Sequence, residues 1–144
     1  MDFAIREYTS GDYDQIQNLW AQTGLGSAAR GDNQQIIENS ISMGGCLLVA
    51  VLTTGKVIGT SWMTFDGRRL HLHHFGVSPA YQRKGVGDRL TIKSLCFAKQ
   101  KGYQIKLEVH QSNTPAIALY KKHGFQFLGD YDVYIIRNLN SINL

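Results

Sequence analysis

Proline and cysteine are scarce in this chain of 144 residues, two of each. With so little proline, no stretch reads as a linker, and the length suits a single domain, 1–144, around one hydrophobic core. Cys46 sits in an apolar run and Cys96 in a helix-like one. Two cysteines so placed point to buried thiols in a reducing compartment and not to a disulfide scaffold. Long apolar runs are missing as well. The longest, Cys46 to Leu52, falls far short of the about 20 residues that span a bilayer. The opening Met1-Asp2-Phe3-Ala4-Ile5-Arg6-Glu7 has neither a basic leader nor a signal-type apolar core. The expectation is a cytoplasmic protein with no membrane partner.

Charged residues make up only 18% of the chain against 43% hydrophobic, a balance that supports a packed core and excludes wholesale disorder. The formal net charge is +4. A basic balance can serve nucleic acid or a small polyanion. Its distribution decides between them: Arg83, Lys84, Arg89 and Lys93 gather around one glycine-bearing turn, with Lys121 and Lys122 further on. Aromatic residues do not alternate with these charges, as a platform for stacking bases would require. A nucleic-acid partner is therefore not expected.

No internal repeat is present. Phe3 to Tyr8 reads as a strand, and Thr9 to Asp12 as the cap of a helix carrying Tyr13, Ile16, Leu19 and Trp20 on one side. Gly24 to Gly31 reads as a loop and Asn33 to Ser42 as a weaker helix. Three strands are predicted over Cys46–Leu52, Val57–Phe65 and Leu70–Val77, the first apolar on both faces and hence interior. Ser78-Pro79 stops the third, because proline cannot donate to a ladder. A long helix is predicted from Val86 to Lys101, ended by Gly102. A strand follows over Gln104 to His110, then a helix from Thr114-Pro115 to His123-Gly124. Two closing strands, Phe125–Asp130 and Val133–Arg137, complete an α/β fold of about seven strands and four helices, with helices on both faces of a mixed sheet.

The most informative stretch is Gln82-Arg83-Lys84-Gly85-Val86-Gly87-Asp88. It follows a strand and opens a helix, where N–H groups lack partners and carry partial positive charge. A diphosphate binds well there. Gly85 and Gly87 let the backbone approach phosphate oxygens closely, and Arg83 and Lys84 add charge. Taken alone, such a turn equally serves a simple chain reversal.

Two flanking segments add weight: Leu72-His73-His74-Phe75-Gly76-Val77-Ser78-Pro79-Ala80-Tyr81 before it, and Leu107-Glu108-Val109-His110-Gln111-Ser112-Asn113-Thr114-Pro115-Ala116-Ile117-Ala118-Leu119-Tyr120-Lys121-Lys122-His123-Gly124-Phe125 after it. In that order and spacing they resemble the signature motifs of the GNAT N-acetyltransferases, and the second is most similar to the branch that acetylates the amino-terminal alanine of a ribosomal protein. The resemblance covers roughly residues 70 to 128. It implies an acetyl-CoA co-substrate, no metal, and fourth and fifth strands that splay apart around the thioester. It also implies that the backbone of Phe75, Gly76 and Val77 pairs with the pantetheine amides, an N–H there polarising the thioester carbonyl. Arg83, Lys84, Gly85, Val86, Gly87 and Asp88 would take the diphosphate and Asn113 would touch the pantetheine arm. Family members often form homodimers.

Amine acetylation needs a neutral nucleophile, a stabilised oxyanion and a protonated leaving thiolate. Tyr120 matches the family's proposed general acid; its position beside Ala116 and Ile117 at helical spacing equally suits a core residue. Glu108, which alternates with Leu107 and Val109, matches the base of the ribosomal-protein branch and equally suits a solvated strand residue. His73 is the alternative base, since histidine titrates near neutrality unaided. Alternation places His71 and His73 on one face and His74 on the other, which argues against zinc. The acceptor is a primary amine, either a protein amino terminus or a small molecule. The segment Gly129-Asp130-Tyr131-Asp132-Val133-Tyr134 lacks the arginine-and-tyrosine character of the ribosomal-protein branch and would suit a small polycation.

Overall fold

The computed structural model describes residues 1–26 and 30–143; residues 27–29 of the predicted loop lie outside the described residues. Among the described residues, segments rich in apolar and β-branched side chains form five strands: β1 Phe3–Glu7, β2 Cys46–Leu52, β3 Val57–Phe65, β4 Leu70–Val77 and β5 Ile105–Leu107. They lie in sequence order across one sheet, antiparallel up to β4 and parallel between β4 and β5. The parallel step follows from the helix that joins those two strands, since such a pair needs a crossover.

Among the described residues four α-helices cover the sheet: α1 Tyr13–Thr23, α2 Gln34–Ser42, α3 Val86–Lys101 and α4 Thr114–Lys122. Their ends follow local chemistry. Asp12 accepts the Thr9 N–H at 2.9 Å ahead of α1, and the Asn33 side chain accepts the Ile36 N–H at 2.9 Å to cap α2. Gly24 and Gly102 close α1 and α3 in the left-handed region, at φ of 73° and 81°.

The interior β2 and β3 are buried on both faces, and each face carries its own core. One face packs Leu47, Val49 and Trp62 against Ile16, Leu19 and Trp20 of α1 and Ile37 of α2. The other packs Leu48, Ala50, Met63, Leu70 and Leu72 against Val86 and Leu90 of α3 and Tyr120 of α4. Each fully buried aliphatic side chain contributes roughly 1.5–3 kcal/mol.

β4 departs from alternation. Trp62 faces His73 and Thr60 faces Gly76, so Ser61 alone stands opposite His74 and Phe75. This is a β-bulge, and His74 adopts φ +43° to make it. The expectation that His74 lies on the face opposite His71 and His73 is overturned: its ring packs on Trp20 and Trp62, the α1 face that His73 also occupies. Beyond the bulge Phe75 points to the α3 face, where it meets Tyr120.

β5 is three residues long, not the predicted seven, because its ladder with β4 stops at Leu72–Leu107 just before the bulge. The two closing strands are absent: residues 125–138 carry no strand. Gly124 and Gly129 break the direction of the chain at φ of 97° and 82°. A three-residue β5 offers few hydrogen bonds to offset the entropy of ordering further strands. Phe127, Tyr134 and Ile135 are consequently exposed, at 87%, 90% and 70%. Among the described residues the sheet has five strands where about seven were expected.

Candidate active site

The turn between β4 and α3 presents a run of free donors. Arg83 at φ +60° and Gly85 at φ +84° both adopt left-handed backbone, which rotates successive N–H groups to one side, the geometry of an anion nest. Among the described residues, no backbone carbonyl accepts from Arg83 through Asp88; the first such bond is Arg89 N–H to Gly85 O, at 3.1 Å. Arg83, Lys84 and Gly85 are exposed and Val86 is buried, anchoring the helix start in the core. A Cβ on Gly87 would come within 3.3 Å of Leu119.

Asp88 is differently employed. Its Oδ1 accepts from Lys122 Nζ and from His123 Nε2, each at 2.8 Å. The Lys122 bond first, then His123, hold its carboxyl below the usual range. The side chain thus clamps α3 to the end of α4, and only its backbone N–H is left for an anion. Asn113 is the N-cap of α4, its Oδ1 accepting from Ala116 N–H at 3.4 Å.

Beside this turn the sheet opens. The β4–β5 ladder ends where β4 bulges, and Phe75, Gly76 and Val77 run on along the gap. Gly76 stays paired with Thr60 and Val77 with Gly59 on the β3 side. A Cβ on Gly76 would meet Leu25 at 2.8 Å. Val77 O accepts from Gln82 Nε2 at 3.0 Å, which ties the strand end to the turn.

Tyr120 stands on the α3 face of the gap, only 7% exposed, edge-on to both Phe75 and Phe125 at 5.6 Å. Burial pushes its phenol up to about 12. It is the core side chain that its helical spacing allowed, and through Phe75 it packs beside the gap.

Glu108 and His73 lie on the α1 face. Glu108 is exposed and follows the last paired residue of β5. His73 Nε2 lies 2.8 Å from Thr64 Oγ1. Partial burial, then the charges of His71 and Arg30, depress its pKa against the pull of Glu108, so the ring is neutral at pH 7. His71 Nε2 is 3.2 Å from Asp66 Oδ2. Among the described residues no group of three or more His, Cys, Asp or Glu side chains is arranged to hold a metal.

A nest of free donors, an adjoining gap between parallel strands and a phenol at its wall is the arrangement the motifs implied. Residues 13–125 match the model of the Acetyltransferase (GNAT) family. The chain belongs to the GNAT family. A relative, N-alpha-acetyltransferase RimI of Mycobacterium tuberculosis, is 38% identical over 85 residues, 56% of this chain and 52% of that protein. Mycothiol acetyltransferase of Clavibacter sepedonicus is 28% identical over 129 residues, 85% of this chain and 42% of that one. The GNAT chain described here thus spans about half the length of these curated relatives. PaiA N-acetyltransferase of Thermoplasma acidophilum, solved in complex with coenzyme A, superimposes with a TM-score of 0.72 at 21% identity, covering 88% of this chain and 91% of that one. It shares the fold.

Sequence reasoning missed one cluster of this GNAT chain. His74, Asp32, Trp20 and Trp62 meet on the α1 face. Three histidines within four residues were the signal; the bulge that turns His74 inward leaves no mark in the sequence pattern.

Proposed function

We propose that this protein transfers the acetyl group of acetyl-CoA to a primary amine by direct attack in a ternary complex. The observation that carries the reading is the run of unpartnered N–H groups from Arg83 to Asp88 at the mouth of the β4–β5 gap. Such donors suit a diphosphate, and the gap suits the thioester arm. Arg83 and Lys84 add charge from exposed positions, while Gly85, Val86 and Gly87 contribute main chain. In this reading the free backbone edge of Phe75, Gly76 and Val77 aligns the pantetheine. An N–H there stabilises the oxyanion in a water-poor site.

Tyr120 faces the leaving sulfur. At about 12 its phenol lies some 3.5 units above a thiol near 8.5, so transfer of its proton to a free thiolate is uphill by about 5 kcal/mol. Its work is a hydrogen bond that strengthens as charge develops on sulfur. His73, neutral at pH 7, and Glu108 share the α1 face, and either can take the ammonium proton directly or through water. A chain amino terminus, with a pKa near ~7.8, needs little of that help; a lysine near ~10.4 needs far more. The RimI relative favours a protein amino terminus as acceptor, and the mycothiol acetyltransferase relative a small-molecule amine.

Calorimetry with acetyl-CoA, followed by thiol release across a panel of amino acids, polyamines, aminoglycosides and short peptides, tests this. Saturable binding with amine-dependent thiol release is expected. Absence of both heat and thermal shift at millimolar acetyl-CoA, on folded protein, refutes it.

A further inference from the structure

The α1 face contains a cavity of about 300 Å³ bordered by Tyr13, Gln17, Trp20, Asp32, Asn33 and His74. His74 is its most unusual wall. The side chain is 6% exposed, with Nε2 3.3 Å from Asp32 Oδ2, and Nδ1 is buried with no hydrogen-bond partner. Its backbone holds a left-handed conformation unusual for a non-glycine residue, a strain that persists only where the surroundings enforce it. They do: Trp20 Nε1 donates to Thr60 Oγ1 at 2.8 Å, and Thr60 Oγ1 donates to the His74 carbonyl at 2.7 Å. The ring packs tilted against both Trp20 and Trp62, with centroids at 4.3 and 5.1 Å.

The chemistry of the wall is one-sided. Burial, then Arg30 and His73, keep His74 neutral near pH 7; in the tautomer that places its one proton on Nε2, 3.3 Å from the Asp32 carboxylate, the buried and unpartnered Nδ1 is a lone pair. Asp32 offers further lone pairs. Gln17 uses its Nε2 on the Tyr13 hydroxyl, at 2.8 Å, which leaves its amide oxygen. Trp20 and Tyr13 add aromatic faces. Lone pairs and π faces call for a ligand that brings N–H and O–H donors. Arg30, whose charge is felt at both Asp32 and His74, offsets the single carboxylate and disfavours a polycation. The cavity adjoins the gap, since His74 directly precedes Phe75 and shares its face with His73.

We infer that this cavity seats the acceptor next to its reacting amine. Asp32 is the specificity-determining residue for a compact group rich in N–H or O–H donors, and His74 is a positioning residue that fixes Asp32. The inference rests on the amine-acetyltransferase reading and names its acceptor class.

Two isosteric amines test it: 2-amino-1,3-propanediol, and 3-aminopentane, in which methyl groups replace both hydroxyls. Wild-type protein is expected to favour the diol at least tenfold in kcat/KM. Asp32→Asn, at a loop position a quarter exposed, is expected to reduce the preference below about threefold while the KM for acetyl-CoA stays within twofold. His74→Gln is expected to raise the KM for the diol but not for 3-aminopentane. Titration of tryptophan fluorescence with the diol, read without turnover, should saturate in the wild type and lose affinity in Asp32→Asn. Equal use of both amines, acetyl-CoA binding with neither amine acetylated, or an undiminished preference in Asp32→Asn overturns the inference alone. Failure of acetyl-CoA to bind overturns the transferase reading and this inference with it.

Discussion

The ring of Phe75 meets that of Tyr120 edge to face, with centroids 5.6 Å apart, and so joins β4 to α4 across the α3 side of the sheet. Phe75 reaches that side only because the bulge at His74 turns it there. The strand proposed to hold the pantetheine and the phenol proposed to face its sulfur are thereby one packed unit.

Tyr120→Phe preserves that packing and removes one hydroxyl. Turnover should fall about 10²–10⁴-fold if the phenol acts on the sulfur. The Kd for acetyl-CoA and the melting temperature should barely move. Stopped-assay kinetics beside calorimetry separate the outcomes; unchanged turnover at saturating acetyl-CoA removes the role.

Gly85→Ala examines the nest. A Cβ there meets nothing within 4 Å, so the cost is conformational, about 1 kcal/mol for a left-handed alanine at φ +84°. Relaxation of the turn should misalign at least one donor and weaken acetyl-CoA about fivefold, equivalent to one hydrogen bond of about 1 kcal/mol. A calorimetric Kd equal to wild type would show that this turn does not hold the diphosphate.

Asp12 receives both guanidinium nitrogens of Arg6, at 2.7 and 2.8 Å, besides the Thr9 N–H. The Arg6 bond is the main reason its carboxyl lies below the usual range. Its stability contribution is therefore complete above the unfolded value near ~3.9 and is lost as pH falls through the folded one. Asp12→Asn should cost about 2 kcal/mol at pH 7. Urea unfolding of the variant should show a weaker pH dependence below pH 4 than that of the wild type.

His74 acts in a different window. Burial, then Arg30 and His73, lower its pKa to about 4, against about 6.5 when unfolded. The unfolded chain binds the extra proton between these values, so stability should fall as pH drops from 6.5 to 4. The loss is up to about 3 kcal/mol, with the Asp32 carboxylate opposing it. Replacing the ring in His74→Gln should flatten that part of the profile; an unaltered slope would mean that His74 is not the group responsible.

Most boundaries were legible because they rest on local chemistry. β2, β3, β4 and α3 begin and end where the alternation, Ser78-Pro79 and Gly102 put them. The glycine turn stood out because two glycines and two basic residues at a helix start are a local pattern, and its open donors follow. Features that depend on partners were not legible. The face of His74 is set by Ser61 across the ladder, and nothing within β4 announces an extra residue. The ends of β5 depend on where β4 turns away. The closing strands looked like strands by composition, yet a strand needs a neighbour to bond to, and Phe125–Arg137 finds none. Asp88 read as part of the phosphate turn because it is adjacent in sequence; its carboxylate belongs to Lys122 and His123, 34 and 35 positions away.

The bulge makes the site a matter of odd and even. From Leu72 to Val77 one residue too many occupies β4, and every side chain beyond it has exchanged sides. Excision of His74 would restore strict parity without moving its neighbours across the sheet: Phe75 would stay on the α3 side opposite Ser61, Gly76 would stay on the α1 side opposite Thr60, and the strand would lose the kink that parts it from its parallel neighbour. The chain would gain an uninterrupted sheet and lose its cleft. A single supernumerary amino acid, spliced into an otherwise regular ribbon, separates a scaffold from a site.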